Sequence, residues 1–163
     1  MRKVGIVMGS TSDLPVVEKA IGVLRDYGVD TEVRVLSAHR CPNEAREFAA
    51  SARESGFSVL IAAAGMAAHL AGALAANTTL PVIGIPCAGA NFDGMDALLS
   101  TVQMPSGIPV ATVAVNGAKN AALLAIQIMA VTDMSLADKL SAAREKETAA
   151  VLKADKELRE QYQ

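Results

Sequence analysis

The two histidines of the chain each follow a segment that predicts a β-strand. His39 comes after Thr31 to Leu36, where β-branched residues alternate with polar ones. His69 comes after the apolar run Ser58 to Ala63. Imidazole has an ordinary pKa of about 6.5, so it can donate and accept a proton near neutrality. A lone histidine is more often a packed residue than a catalyst, but both histidines here fall at strand ends. We therefore take them as candidate acid/base groups.

Arg40 adds a group that can bind an anion next to His39. A guanidinium can bind phosphate through two parallel hydrogen bonds, and a surface salt bridge is the alternative. The segment Ser37-Ala38-His39-Arg40-Cys41-Pro42 lies between a predicted strand and a predicted helix. Ligands of parallel α/β sheets bind at that edge, close to helix N-termini that favour anions. This position favours a phosphate site.

Gly9-Ser10-Thr11-Ser12-Asp13 is a second candidate for phosphate binding. It lies between the predicted strand Val4 to Met8 and a predicted helix, where free backbone N–H groups and hydroxyls can bind phosphate. It has neither a Walker lysine nor the full GxGxxG pattern, and helix capping by Ser12 or Asp13 explains it equally well. A phosphate would repel the Asp13 carboxylate, so a ribose diol is the better partner for this residue.

The third strand end leads into Gly65-Met66-Ala67-Ala68, whose mostly small residues would let the backbone approach a ligand closely. Tight packing between helix and strand is the alternative explanation. A zinc site built from His39, His69 and Cys41 or Asp13 is a further possibility, but no HxH, HExxH or CxxC spacing supports it. We expect no metal.

The composition excludes several classes of protein. The 163 residues are 52% hydrophobic and 20% charged, which predicts one folded domain. The net charge is -2 and only 3% of residues are aromatic, so we expect no nucleic-acid partner. The apolar stretch Phe57 to Ala76 is interrupted by His69 and glycines, and the run after Lys3 is too short for a signal peptide. Two cysteines in no recognised spacing favour a reducing cytoplasm. Because no transmembrane segment is predicted, we expect no membrane partner.

Strands and helices alternate along the chain, which predicts a flavodoxin-like three-layer αβα sandwich around a parallel sheet. The predicted strands are 4–8, 31–36, 58–63, 81–86 and 110–115, and the clearest helices follow at 42–54, 94–101 and 118–131. The polar residues Glu32 and Arg34 place the second strand nearer the sheet edge. We assign residues 1–132 to the core of a single domain spanning 1–163.

Residues 133–163 form a helical tail, with a predicted helix from Ser135 to Tyr162. Its charges cover most of the helix surface, so it cannot bury much against its own core. The tail and the unusually apolar core helices predict a homo-oligomer in which these faces are covered.

Six segments together resemble one family, the N5-carboxyaminoimidazole ribonucleotide mutases of purine biosynthesis. The segments are MGSTSD at 8–13, SAHRCP at 37–42, AGMAAHLAG at 64–72, LPVIGIP at 80–86, VQMPSGIPVATVAV at 102–115 and KNAALLA at 119–125. The resemblance covers nearly the whole chain up to about Thr132. It implies an isomerase that moves a carboxyl group from the exocyclic nitrogen to ring carbon four, without a cofactor.

The resemblance also implies roles for residues and an octamer with sites between subunits. A related branch of the family carboxylates aminoimidazole ribonucleotide directly with CO2. That branch has Lys and Asn where this chain has Arg40 and His69, so the chain is more similar to the mutases. The candidate catalytic residues are His39 and His69. The candidate substrate-binding residues are Ser10, Ser12, Asp13, Ser37, Arg40, Gly65, Ala67 and Leu70.

Three residues depart from the family pattern. Met66 replaces the usual Gly, Ala71 the usual Pro and Cys41 the usual Thr. If position 66 requires a left-handed backbone, Met would be strained there by roughly 1–2 kcal/mol. These departures concern the shape of the loop over the reacting ring.

Proton counting suggests a mechanism for the implied reaction. Loss of CO2 from nitrogen requires a proton, and attachment of CO2 to carbon releases one. A single imidazole can therefore act as acid and then as base, and we expect His39 to do so. The direct carboxylase, a flavin- or nucleotide-binding module and a sugar-phosphate isomerase remain as alternatives. Few aromatics near strand ends disfavour the binding module.

Overall fold

The chain folds into five strands and six helices over residues 3–162, the part that the computed structural model describes. The strands are β1 (Lys3–Met8), β2 (Asp30–Val35), β3 (Val59–Gly65), β4 (Val82–Cys87) and β5 (Ala111–Thr112). The helices are α1 (Leu14–Asp26), α2 (Pro42–Ser51), α3 (Leu70–Ala75), α4 (Met95–Val102), α5 (Ala118–Ala130) and α6 (Met134–Tyr162). A single 3-10 turn, Thr11–Asp13, precedes α1.

The sheet is parallel throughout, with the strand order β2-β1-β3-β4-β5. This order and the extended helix α6 confirm the predicted flavodoxin-like fold. The second strand does lie at the sheet edge, as its polar residues indicated. Because all strands run the same way, the loops that follow them meet at one edge of the sheet.

Side chains of β1 alternate between two apolar layers, which places helices on both faces of the sheet. Val4 and Ile6 belong to a buried cluster with α1 and α5, whereas Val7 belongs to a cluster with α2 and α3. A Cβ at Gly5 would come within 2.7 Å of Leu60 Cδ2. The glycine therefore lets side chains of the second layer pack closely against β1.

Two predicted boundaries were too long. The helix predicted for 42–54 ends at Ser51, and hydrogen-bonded turns, such as that from Ser55 N to the Ser51 carbonyl, lead from there to Gly56, which has a φ of 79°. The fifth strand, predicted for 110–115, pairs with β4 only at Ala111 and Thr112. Pro109 cannot donate a hydrogen bond before it. After it, single backbone hydrogen bonds from Val113 N to the Gly84 carbonyl and from Asn116 N to the Pro86 carbonyl keep the chain beside β4, and Asn116 has a φ of 57°.

Helix α6 packs on the core only at its beginning. Leu136 is fully buried, and Lys139 Nζ donates a hydrogen bond to the Tyr27 carbonyl at 3.0 Å. Further along, Val151 and Leu152 are 69% and 63% exposed. Along residues 3–162, no helix combines the length and the apolar character that a membrane span requires.

Candidate active site

An open cavity of about 580 Å³ lies at the carboxyl edge of the sheet. Loops after β1, β2, β3 and β4 line it. All of the predicted site residues are among the lining residues: Ser10, Ser12, Asp13, Ser37, His39, Arg40, Gly65, Ala67, His69 and Leu70. Segments far apart in sequence are therefore brought to one site, with both histidines exposed at its surface.

The loop after β1 presents two hydroxyls at the start of a helical segment. Ser10 has extended backbone angles (φ -152°, ψ 154°), and its Oγ accepts hydrogen bonds from Ser12 N at 3.3 Å and Ser12 Oγ at 2.9 Å. The 3-10 turn after Ser10 continues directly into α1. Hydroxyls and free N–H groups at such a terminus are suited to an anion.

The loop after β2 is a tight turn closed by Ser37 and Cys41. Cys41 N donates to the Ser37 carbonyl at 2.8 Å, and Ser37 N donates to Cys41 Sγ at 3.0 Å. The thiol in turn donates to the Ser37 carbonyl at 3.3 Å. Cys41 thus makes the two hydrogen bonds that a threonine hydroxyl could make at this position. The departure from the family pattern preserves the turn that carries His39 and Arg40.

Arg40 connects two of the loops. Its Nη2 donates to the Gly9 carbonyl at 3.3 Å, and its backbone N donates to Ser37 Oγ at 3.2 Å. The guanidinium is therefore held against the loop that contains Ser10 and keeps other N–H groups for a ligand. Arg40 stays exposed to solvent. This side of the cavity is the best candidate for a phosphate site.

Met66 adopts a left-handed backbone conformation, with a φ of 57°. A methionine in this left-handed conformation is strained, at an expected cost of about 1–2 kcal/mol. The side chain is 68% exposed and lines the cavity. The methionine places a flexible apolar side chain over the site where glycine would leave open space.

Asp13 lies in a partly buried position at the cavity wall. Burial raises the pKa of its carboxyl above the ordinary value of 3.8, and a hydrogen bond from the Ser10 backbone opposes this shift. Burial, together with the Asp13 charge, raises the pKa of the nearby Cys87 thiol to about 12. The Cys87 side chain therefore remains a neutral thiol, as expected for an inert cysteine.

The cavity also includes residues to which the sequence gave no site role. These are Ala64, Ala88 and Gly89. Ala88 and Gly89 follow β4, and Ala88 N donates to Asn116 Oδ1 at 3.0 Å. Small side chains carry no chemical pattern of their own. Their position after a fourth parallel strand is the signal that could have identified them.

No group of three His, Cys, Asp or Glu side chains is arranged to hold a metal ion within the described part of the chain. Of the candidate ligands of the zinc alternative, His39, His69 and Asp13 line the cavity and Cys41 does not, and they do not form such a group. The chemistry of the cavity therefore consists of two imidazoles, one guanidinium, one carboxyl and several hydroxyls.

The family model described as AIR carboxylase matches residues 3–150. The chain belongs to this family. The matched residues include every strand, the whole cavity and the first half of α6.

Several relatives within the AIR carboxylase family carry the same name. The N5-carboxyaminoimidazole ribonucleotide mutase of Pyrococcus abyssi is 55% identical over 145 residues, which are 89% of this chain and 83% of the relative. The mutase of Methanocaldococcus jannaschii is 48% identical over 157 residues, 96% of this chain and 98% of the relative. These matches run over nearly the full length of both proteins.

Two other comparisons concern the fold and a larger relative. The crystal structure of Treponema denticola PurE matches with a TM-score of 0.86 at 30% identity, over 96% of this chain and 98% of that chain. The phosphoribosylaminoimidazole carboxylase of Saccharomyces cerevisiae is 53% identical over 137 residues, which are 84% of this chain but only 24% of that protein. The AIR carboxylase fold thus also occurs as one part of a longer chain.

Proposed function

We propose that the chain converts N5-carboxyaminoimidazole ribonucleotide to 4-carboxy-5-aminoimidazole ribonucleotide in de novo purine biosynthesis. It is an isomerase that moves a carboxyl group within its substrate. The names of relatives that match over nearly their whole length support this reaction over direct carboxylation. The observation that carries the proposal is the meeting of His39, His69 and Arg40 at one cavity with the Ser10 loop.

The phosphate of the ribonucleotide binds between the first two loops. Arg40 already contacts the Gly9 carbonyl, and Arg40, Ser10 and Ser12 all line the cavity, so its guanidinium and these hydroxyls can bind one phosphate. Ser37 keeps Arg40 in place by accepting a hydrogen bond from the Arg40 backbone. The Asp13 carboxyl binds the ribose diol, which suits a group whose raised pKa reflects a partly dry environment.

His39 transfers the proton in both halves of the reaction. The bond between the carbamate carbon and the exocyclic nitrogen breaks, and His39 donates a proton to that nitrogen. CO2 then forms a bond with ring carbon four, and the proton of that carbon passes to His39. The proton balance is zero over the cycle, so ATP and redox chemistry have no part in it.

The intermediate CO2 must stay in the site between the two steps. Gly65 and Ala67 line the cavity with little side-chain volume, and the buried Leu70 adds an apolar surface behind them. When the bound ribonucleotide covers this part of the open cavity, the apolar surface can hold CO2 away from water. His69, at the rim of this pocket, positions the heterocycle or its carboxylate and acts with His39.

The proposal includes a homo-octamer whose sites lie between subunits. Helix α4 carries Met95, Leu99 and Val102 at i, i+4 and i+7, and these side chains are 56%, 52% and 47% exposed. The tail, residues 133–163, extends from the single α/β domain and packs on other subunits. Native mass spectrometry tests this assembly, which a purely monomeric protein would contradict.

The enzyme acts in the cytoplasm on a small-molecule ribonucleotide. Its two cysteines are free thiols, and Cys41 uses its thiol within the turn that carries His39. A reducing compartment preserves that arrangement.

The proposal is tested by conversion of the carbamate to the carbon-carboxylated product in a buffer without ATP or added metal. A parallel reaction contains aminoimidazole ribonucleotide and bicarbonate. We expect fast conversion of the carbamate and slow reaction of the mixture. The reverse preference would assign the chain to the direct carboxylases.

A further inference from the structure

The imidazole of His69 lies against Gly72, one turn along the chain. His69 is the residue that precedes α3, and Gly72 is the third residue of that helix. A Cβ at Gly72 would lie 2.8 Å from His69 Nε2 and 2.9 Å from Nδ1, and it would clash with Cε1. Real Cβ atoms essentially never come so close to other atoms, so no other residue fits at position 72 with the ring where it is.

This glycine does not serve the backbone. Gly72 lies inside a helix, and it is not among the glycines whose φ is positive. An alanine would therefore suit the helix better. Helix propensity therefore opposes glycine at this position, and backbone geometry does not require it. The three atoms nearest to such a Cβ all belong to the His69 ring, so close approach of this ring is a reason for a residue without a side chain.

A second contact holds the backbone that carries His69. Thr101 of α4 is 2% exposed, and its Oγ1 lies 3.1 Å from the Ala68 carbonyl and 2.7 Å from the Ala97 carbonyl. Ala68 directly precedes His69. The single hydroxyl proton is shared between these two carbonyls, and through the Ala68 contact the hydroxyl links helix α4 to the loop after β3 at the residue before the imidazole. Because this hydrogen bond is buried, losing it would leave a carbonyl without that partner.

Gly84 of β4 makes the approach of Thr101 possible. A Cβ at Gly84 would clash with Thr101 Cγ2 and would lie 3.2 Å from the Ala71 Cβ. Because Gly84 has no side chain, residues of α3 and α4 can pack closely against β4 at this point. Close packing at Gly84 thus brings α3 and α4 together, so that Thr101 of α4 can reach the loop after β3.

We propose that Gly72 and Thr101 are positioning residues that together hold the His69 imidazole at the rim of the cavity. Gly72 leaves the space in which the ring lies, and Thr101 holds the backbone from which it extends. The effect on turnover rests on the proposed function, whereas the orientation of the ring does not.

The experiment uses the full-length protein labelled with [13Cε1]histidine. Two histidines give two signals, and His39 serves as the internal reference. Gly72→Ala is compared with Gly22→Ala, because Gly22 lies in α1 and nothing lies within 4 Å of a Cβ added there. Thr101→Val removes the hydroxyl at nearly constant volume, whereas Thr101→Ser keeps the hydroxyl. Melting temperatures and turnover of the carbamate are measured on the same samples.

We expect Gly72→Ala and Thr101→Val to shift or broaden the His69 signal without moving the His39 signal. We expect kcat to fall roughly tenfold or more with a smaller change in KM, since small misplacements of a reacting group are costly. Gly22→Ala and Thr101→Ser should stay near wild type in both readouts.

An unmoved His69 signal in Gly72→Ala would overturn the proposal. So would a lower melting temperature in Thr101→Val with the His69 signal in place. If the wild-type protein fails to convert the carbamate, the proposed function fails, while the signals still decide the orientation of the ring.

Discussion

Arg40 Nη2 donates a hydrogen bond to the Gly9 carbonyl at 3.3 Å, across 31 residues of sequence. The contact joins the loop after β1 to the loop after β2, and both loops lie at the same edge of the parallel sheet. One guanidinium thereby fixes the spacing between the Ser10 hydroxyl loop and the His39 turn. In the proposed mechanism, binding of the phosphate and placement of His39 depend on the same contact.

Arg40→Lys should raise KM about tenfold and leave kcat nearly unchanged. Lysine keeps the charge but cannot contact Gly9 and a phosphate through a planar fork. Initial rates at varied substrate concentration measure both constants. Arg53→Lys is the matched control, since Arg53 is exposed and contacts Thr79 away from the cavity. An unchanged KM for Arg40→Lys would remove phosphate binding from this residue.

His39→Asn should retain substrate binding and lose most turnover. Asparagine preserves hydrogen bonding but cannot exchange a proton near neutrality, and general acid/base groups contribute on the order of 100- to 10,000-fold. Calorimetric titration with the product measures binding, and a stopped assay measures kcat. His69→Asn, compared in the same assays, should lose less turnover than His39→Asn. Near-normal turnover by His39→Asn would show that another group transfers the proton.

Asp13→Asn should stabilise the free protein near pH 7.5, and the gain should shrink as the pH falls. Burial raises the pKa of the Asp13 carboxyl above 3.8, so the folded protein holds this proton more tightly than the unfolded chain does. Stability therefore falls as the pH rises through the interval above 3.8, and the ionised carboxyl opposes folding at higher pH. Below that interval both states are protonated and the opposition disappears.

The measurement for Asp13 is the difference in melting temperature between Asp13→Asn and wild type from pH 7.5 down to about pH 4. Taking the difference cancels the other titrating groups. A gain that is independent of pH would refute the assignment, as would a loss of stability at pH 7.5. The same variant should bind the ribonucleotide more weakly, which separates its effect on stability from its effect on binding.

Met66→Gly should stabilise the chain by up to about 1.6 kcal/mol. Removing the left-handed strain gains about 1–2 kcal/mol, and the greater freedom of glycine in the unfolded chain offsets about 0.4–1 kcal/mol of that gain. Denaturant unfolding measures the net change. Met104→Gly is the control at a loop methionine without positive φ. No strain is relieved there, so this change should only destabilise the chain. Equal destabilisation by both changes would contradict the strain at Met66.

The sequence predicted the parallel sheet and the cavity because their signals are local. Each strand end carried polar or glycine-rich residues, and parallel strands bring such ends together. The contacts that orient His69 are different. Thr101 and Ala68 are 33 residues apart, and nothing in either residue type indicates that they meet. The limits of β5 likewise depend on tertiary context, since this strand ends where pairing with β4 ends.

Intramolecular transfer of the carboxyl group is tested most directly with a carbamate labelled by 13C at its carboxylate, in buffer with excess unlabelled bicarbonate. Mass spectrometry of the product shows whether the label is retained. The account predicts that the carbon-attached carboxylate keeps the 13C, because the CO2 stays in the cavity until His39 has taken the proton from the ring carbon. A product carrying carbon from the bicarbonate would contradict the account.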